Sequence, residues 1–134
     1  MASELKVDKF TGVTTAGSID VTGEGNSTTT NLQQGLAKAW TNTQQASSYS
    51  TRDSFNLASI TDGGTGKTGL TFTNAFANAN HATTALASNL NNLAAHDNDT
   101  AVPTTTTIQL ASCNATDSLE DATFLFSSTH GDLA

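Results

Sequence analysis

The sequence predicts an all-β protein: an antiparallel β-sandwich or jelly-roll-like knob with an extended N-terminal arm and one short helix. Threonine, whose branched side chain favours strands, is abundant among the polar residues. Asn, Ser and Gly, which populate turns, separate the apolar segments. In the C-terminal two thirds of the chain, short apolar stretches alternate with polar residues, as expected for strands that bury one face.

The composition supplies little material for a hydrophobic core. Leu, Ile, Val and Phe account for 25 of the 134 residues. Small domains with thin cores usually need disulfides, metals or association with other chains. Cys113 is the only cysteine, so one chain cannot form a disulfide, and we expect Cys113 to be a reduced, buried residue. Association with other copies is therefore the favoured source of stability.

The charge of the chain excludes several classes of partner. The formal net charge is −7 and only five residues are Lys or Arg, so we expect no binding to nucleic acid or to an anionic membrane surface. No apolar run approaches the roughly 20 residues of a membrane-spanning helix. The opening segment MASELKVDKF is charged and predicts no secretory signal. We therefore expect folding in a cytoplasm.

The N-terminal part of the chain is predicted to mediate attachment or trimerisation. Residues 1–29 form an arm with two short β-like pieces and too few large apolar residues to fold alone. Residues 30–40 are predicted to form a helix capped by Thr30 or Asn31, with three apolar residues at four-residue spacing. An intra-chain core role for that helix face is an equally good interpretation. The candidate contact residues are Leu5, Val7, Ile19, Val21, Leu32, Leu36 and Trp40.

Residues 41–134 are predicted to form the sandwich domain. Residues 41–52 and the segment NNLAAHDNDTAVP are interpreted as polar loops. The segment around 81–87 is ambiguous between helix and strand, and a strand is favoured. The predicted strands are Phe55–Ile60, Leu70–Phe72, His81–Ala87, a strand around Ile108 and Leu110, and a last strand around Phe124 and Phe126.

The segment DGGTGKTG, residues 62–69, resembles a phosphate-binding loop but fails its spacing. Such a loop needs a glycine five positions before the Gly-Lys-Thr end, and that position is occupied by Thr61. A phosphate-binding loop also lies between a strand and a helix, whereas the segments on both sides here are typical of strands. We therefore predict a β-hairpin whose turn uses positive φ values at Asp62-Gly63.

No motif in the sequence predicts catalysis, and we expect neither enzyme activity nor a cofactor. G-x-S-x-G, H-E-x-x-H and C-x-x-C are all absent. The segment HDND, residues 96–99, begins like a calcium loop with Asp97 and Asp99. However, Val102 and Ile108 occupy the positions at which such a loop needs Gly and an acid. We therefore expect a solvated loop and no metal site.

Four segments in order resemble a family of small bacteriophage virion proteins that are common in phages of marine bacteria. These segments are MASELKVDKFTG, LQQGLAKAW, RDSFNLASITDGGTGKTGLTFTNAFANANH and the terminal HGDLA. Together they cover about two thirds of the chain. The chain departs from the family pattern at His81, where an aromatic residue is common, and in residues 82–107, which leaves any ligand open.

The resemblance implies a non-enzymatic virion protein that forms a homotrimer. It also implies assembly in the host cytoplasm and contact with other virion proteins. One interpretation is a tail-fibre component that attaches to a host surface glycan or receptor. The alternative is a capsid decoration protein, a cement or head-fibre component without receptor binding, whose arm pairs with the shell. For the first interpretation, the candidate exposed binding-loop residues are Tyr49, His81, His96, Asp97 and Asp99.

Overall fold

The computed structural model describes residues 4–13, 19–22, 29–88, 93–96 and 101–134. The chain divides into two compact units, Met1–Leu36 and Ala37–Ala134. The boundary falls inside the segment predicted as one helix. Within the described residues, no helix is long and apolar enough to cross a membrane.

The first unit contains two short strands and one helical turn: β1 Asp20–Thr22, β2 Thr29–Asn31 and α1 Leu32–Gly35. The second unit contains eight strands: β3 Ala39–Gln44, β4 Ser50–Phe55, β5 Leu57–Asp62, β6 Lys67–Phe72, β7 Ala82–Ser88, β8 Leu93–His96, β9 Thr107–Cys113 and β10 Phe124–His130.

The prediction of a helix over residues 30–40 is wrong beyond the first turn. Asn31 caps α1 as expected, because its side chain accepts a hydrogen bond of 3.1 Å from the backbone N–H of Gln34. The backbone of Leu36 is already extended, and Trp40 lies in β3. Gly35, a poor helix former, ends the helix. Leu32, Leu36 and Trp40 therefore do not share a helical face.

The second unit consists of two antiparallel four-stranded sheets. The first sheet has the order β4-β3-β10-β7 and the second has the order β5-β6-β9-β8. Buried side chains of both sheets form one core, so the predicted β-sandwich is confirmed. The order is not that of a jelly roll, because β3-β4, β5-β6 and β8-β9 are sequential neighbours within a sheet.

The strands with large apolar residues were predicted correctly, and two segments predicted as loops were not. β5, β6, β7, β9 and β10 lie where the sequence predicts strands. Residues 41–52, predicted as a loop, instead contribute to β3 and β4. Residues 93–96 form β8 within the other predicted loop. Cys113, expected to be buried, is free and only half-buried.

The two sheets contribute unequally to the core. The second sheet supplies four large buried apolar side chains to the core: Leu70, Phe72, Ile108 and Leu110. From the first sheet, the buried apolar residues are Ala39 and Leu125, and its other buried positions are Thr and Ser. These hydroxyl groups are hydrogen-bonded, so the inner side of the first sheet is polar but satisfied. The pairs are Thr41 with Ser127 at 2.7 Å, Thr83 with Thr129 at 2.9 Å, and Thr43 with the carbonyl of Leu125 at 3.1 Å.

A buried glutamine connects the sheets at one end of the sandwich. Gln45 directly follows β3 and is 6 % exposed. Its Nε2 donates to the hydroxyl of Thr68 on β6 at 3.0 Å. Its Oε1 accepts from the backbone N–H of Ala122 at 2.8 Å and lies 2.9 Å from the hydroxyl of Ser112 on β9. One side chain thus joins both sheets and the segment before β10.

The DGGTGKTG segment forms the predicted hairpin between β5 and β6. The positive φ values occur at Gly64 and Gly66, not at Asp62-Gly63. Gly66 is buried against the β9–β10 connection, where its N–H donates to Oδ1 of Asp121 at 2.6 Å and its carbonyl accepts from Ser112 at 2.7 Å. The glycines therefore serve the packing of a turn.

Replacing Gln45 with Ala should lower the free energy of unfolding by about 2–4 kcal/mol, because the buried N–H of Ala122 loses its acceptor and the buried hydroxyl of Thr68 loses its donor. Urea unfolding followed by the fluorescence of Trp40, the single tryptophan, measures this. Gln44→Ala is the matched control, because Gln44 is half-buried and its side chain bonds only to the nearby carbonyl of Ala46. Equal losses in the two variants would contradict the connecting role of Gln45.

Gly66→Ala should destabilise the fold by several kcal/mol more than Gly64→Ala. Both residues have positive φ, so both variants carry a backbone penalty of about 1 kcal/mol. A Cβ at Gly66 would lie 2.6 Å from the carbonyl oxygen of Ser112 and 2.8 Å from the nitrogen of Glu120, whereas one at Gly64 meets nothing within 4 Å. Thermal unfolding of the two variants checks the difference, and similar melting temperatures would refute it.

Candidate interaction surface

The outward side of the first sheet carries large apolar side chains, and we call it the outer face. Residues directly opposite each other in an antiparallel pair point to the same side. Trp40 on β3 lies opposite Phe55 on β4, and Phe126 on β10 lies opposite Leu86 on β7. Phe55 is 52 % exposed and Leu86 is 72 % exposed. Four large apolar residues thus lie on neighbouring strands of one exposed side.

Arginine and further aromatic contacts extend the outer face. A register shift in the pairing of β3 with β4 leaves Arg52 without a direct partner. Its guanidinium lies 4.3 Å from the ring centre of Phe124, in cation–π geometry. The rings of Phe124 and Phe126 are 6.4 Å apart. Arg52 is the only arginine in the chain.

Polar side chains lie among the apolar ones on the outer face. Asn42 lies opposite both Asp53 and Phe126, near the middle of the sheet. Its Oδ1 is buried and has no hydrogen-bond partner among the described residues. The carboxylate of Asp53 accepts a hydrogen bond from the N–H of Ser54 at 2.8 Å. Arg52 and Asp53 give this face one charge of each sign.

The first unit contains most of the residues predicted for attachment. Leu5, Val7, Val21 and Leu36 are exposed, with Leu5 at 73 %, while Ile19 and Leu32 are half-buried. The Leu5–Val7 piece is not a strand, whereas Val21 lies in β1 and pairs with Thr30 of β2.

Trp40 belongs to the sandwich and not to the first unit. Its side chain is 38 % exposed on β3, where it lies opposite Phe55 of β4 and Ser128 of β10. Sequence analysis missed Phe55, Phe126 and Leu86 as members of this surface. The run Phe124-Leu125-Phe126 contained a usable signal, because three consecutive apolar residues on a strand place large side chains on both of its faces.

Of the five residues predicted for exposed binding loops, the structure describes the side chains of Tyr49 and His81. Tyr49 is half-buried, and its hydroxyl donates to the carbonyl of Thr61 at 2.6 Å. The backbone of His96 ends β8; its side chain, like Asp97 and Asp99, lies outside the described parts of the structure. Among the residues that are described, no group of three His, Cys, Asp or Glu side chains could hold a metal ion.

His81 is half-buried in an aromatic cluster, and its role as an exposed binding residue stays a prediction. Its ring lies 4.6 Å from that of Phe76 and 5.8 Å from that of Phe72. Nε2 lies 3.0 Å from the carbonyl of Thr104 and must therefore carry the proton. Nδ1 is buried without a partner among the described residues. The imidazole thus serves here as a packed ring.

A groove of about 250 Å³ lies on the outward side of the second sheet. It is smaller than most ligand pockets, which measure roughly 300–1,000 Å³. Side chains of β5, β6 and β9 line it beside Ala101 and Val102, and none of them is aromatic or charged. Its polar side chains are those of Thr61, Thr71, Thr107 and Gln109, so the groove has no aromatic or charged group to orient a ligand.

Comparisons with protein-family models, curated proteins and solved structures found no match. The geometry of the described residues therefore carries the functional argument, together with the resemblance of the sequence segments.

The single tyrosine provides a test of the structure around the hairpin. Burial raises the pKa of Tyr49 above 10.0, and the carboxylates of Asp62 and Asp121 raise it further, while a hydrogen bond with Thr68 opposes them. Absorbance titration at alkaline pH should give a midpoint above 10.0 in the folded chain and about 10 in urea. Asp62→Asn should lower the folded midpoint, and Asp53→Asn should not.

The same shift predicts how stability depends on pH. Because the folded pKa exceeds the unfolded one, the contribution of Tyr49 is complete below pH 10 and is lost as the pH rises through the folded pKa. Urea unfolding in this range should show a steeper alkaline loss of stability for the natural chain than for Tyr49→Phe. A folded midpoint at or below 10.0 would contradict the burial of this phenol.

Proposed function

We propose that the chain is a non-enzymatic structural protein of a bacteriophage virion, and that it acts as a homotrimeric tail-fibre or host-attachment component. The sequence segments that resemble phage virion proteins support this proposal. The observation that carries it is the apolar exposure of the first unit. Its most exposed large apolar residues are Val13 at 93 %, Leu5 at 73 %, Phe10 at 61 % and Leu36 at 54 %.

Exposed apolar residues at this density mark a docking segment. An isolated chain gains nothing by exposing them, whereas contact with another protein removes them from water at about 25 cal/mol for each Å². We propose that the first unit, which ends at Leu36, attaches the protein to the particle or joins three copies. The sandwich is then the knob that meets a host surface glycan or receptor.

A capsid decoration role is the second candidate, and the pairing of β1 with β2 favours it. These strands form a sheet of only two strands with three residues each. Two-stranded sheets are marginal alone, and each edge can accept a further strand by backbone hydrogen bonding. An arm of this kind could add strands to a capsid protein.

Antibody labelling of intact virions distinguishes the two roles. Label at the tail or at fibre tips supports attachment to the host, and label spread regularly over the head supports decoration. Absence of label from every particle would overturn both.

Deletion of residues 1–25 should remove the protein from virions under either role, because the attachment segment is lost. The control is the full-length chain produced in the same infection, with the circular dichroism of the purified deletion variant showing that its sandwich is intact. Normal incorporation of a folded deletion variant would refute the assignment of attachment to the arm.

A further inference from the structure

At several positions the first sheet reverses the usual arrangement of polar and apolar side chains. A sheet of a single-chain sandwich normally turns its large apolar side chains inward and its polar ones outward. On β3 and β10, the inward residues include Thr41, Thr43, Ser127 and Thr129. The outward residues on these strands and their neighbours are Trp40, Phe55, Leu86, Phe124 and Phe126.

This reversal has a cost in a lone chain. The inward hydroxyl groups need hydrogen bonds inside the sandwich, and the outward aromatic and aliphatic groups remain in contact with water. The arrangement becomes favourable when another surface covers the outer face, because the apolar side chains are then removed from water.

We infer that the outer face of the β4-β3-β10-β7 sheet is the contact surface between copies of this chain. Aromatic residues and arginine are enriched, and lysine and glutamate depleted, at the centres of protein interfaces. The outer face has this composition and includes the only arginine of the chain.

The outer face carries one charge of each sign, which another copy of the chain can complement. The chain carries a formal charge of −7, so two copies repel each other wherever acidic surfaces meet. The outer face offers the pair Arg52 and Asp53, one charge of each sign. A neighbouring copy can therefore place its Asp53 near Arg52, and its Arg52 near Asp53 of a further copy. An anionic membrane surface has no positive charge to pair with Asp53.

The size of the face makes the association reversible. Four strands at about 4.8 Å spacing, each with about six residues at 3.4 Å, give a face of roughly 400 Å². A standard interface buries about 800 Å² on each partner. The face is therefore about half of a standard interface, which fits a weak, concentration-dependent association.

The inference names the contact surface of the proposed homotrimer. It rests on the proposed function only for the number of copies. It assigns the contact to the sandwich, where the sequence had suggested a helical stripe within residues 30–40. Self-association can be measured on the purified chain, so its failure is distinguishable from the absence of the protein on virions.

Sedimentation of the full-length chain over a wide concentration range tests the inference. The natural chain should associate as its concentration rises, while the emission of Trp40 shifts to shorter wavelength and acrylamide quenches it less. Leu86→Asp should weaken association by at least about tenfold, a change of 1.4 kcal/mol. Leu86 is 72 % exposed in the single chain, so the fold should tolerate the change, and circular dichroism checks this.

Val102→Asp is the matched control. Val102 is 77 % exposed, lies beside the groove on the second sheet, and acquires the same charge. Its association should equal that of the natural chain. A chain that stays monomeric at every concentration would overturn the inference, as would equal effects of the two variants. A monomer whose Trp40 becomes shielded only on addition of host-surface glycans would assign the face to a receptor and also overturn it.

Discussion

The hydrogen bonds of buried Thr, Ser and Gln side chains are the constraint on which the sandwich depends. The first sheet turns hydroxyl groups inward, and each of them needs a partner because no water is available to replace one. Thr41 and Ser127 satisfy each other across neighbouring strands. Gln45 extends the same principle between sheets, through Thr68 and the N–H of Ala122. Such bonds are directional, so they specify strand register as well as stability.

This polar lining explains how so few large apolar residues suffice. The second sheet and the Phe76 loop supply most of the large core side chains, and the first sheet closes over them with small residues such as Ala39, Ala85 and Ala87. Small side chains allow close approach of the sheets but contribute little hydrophobic free energy. The remaining aromatic residues of the first sheet lie on its opposite side. The large apolar side chains are thus distributed between the core and the outer face.

The sequence predicted those strands whose pattern follows burial. β6 and β9 alternate Thr or Gln with buried Leu, Ile and Phe, and both were correctly placed. β3 and β4 were missed because their inward residues are polar, so hydrophobic periodicity carried no signal. For the same reason the outer face was not recognised, although Trp40 had been selected on helical spacing. The contacts of His81 with Phe72 and Phe76 could not be predicted from the sequence, because the tertiary fold brings these rings together.

The corner at Asn56 has a consequence for solubility. This single residue, in a left-handed conformation with φ of 58°, separates β4 of one sheet from β5 of the other. Its side chain donates to the carbonyls of Lys38 and Asn74 and accepts from the N–H of Asn74. The two edge strands on this side are therefore tethered to each other. Edge strands are the sites at which copies pair and aggregate, and a corner held by three hydrogen bonds limits how far β4 and β5 can move to accept a foreign strand.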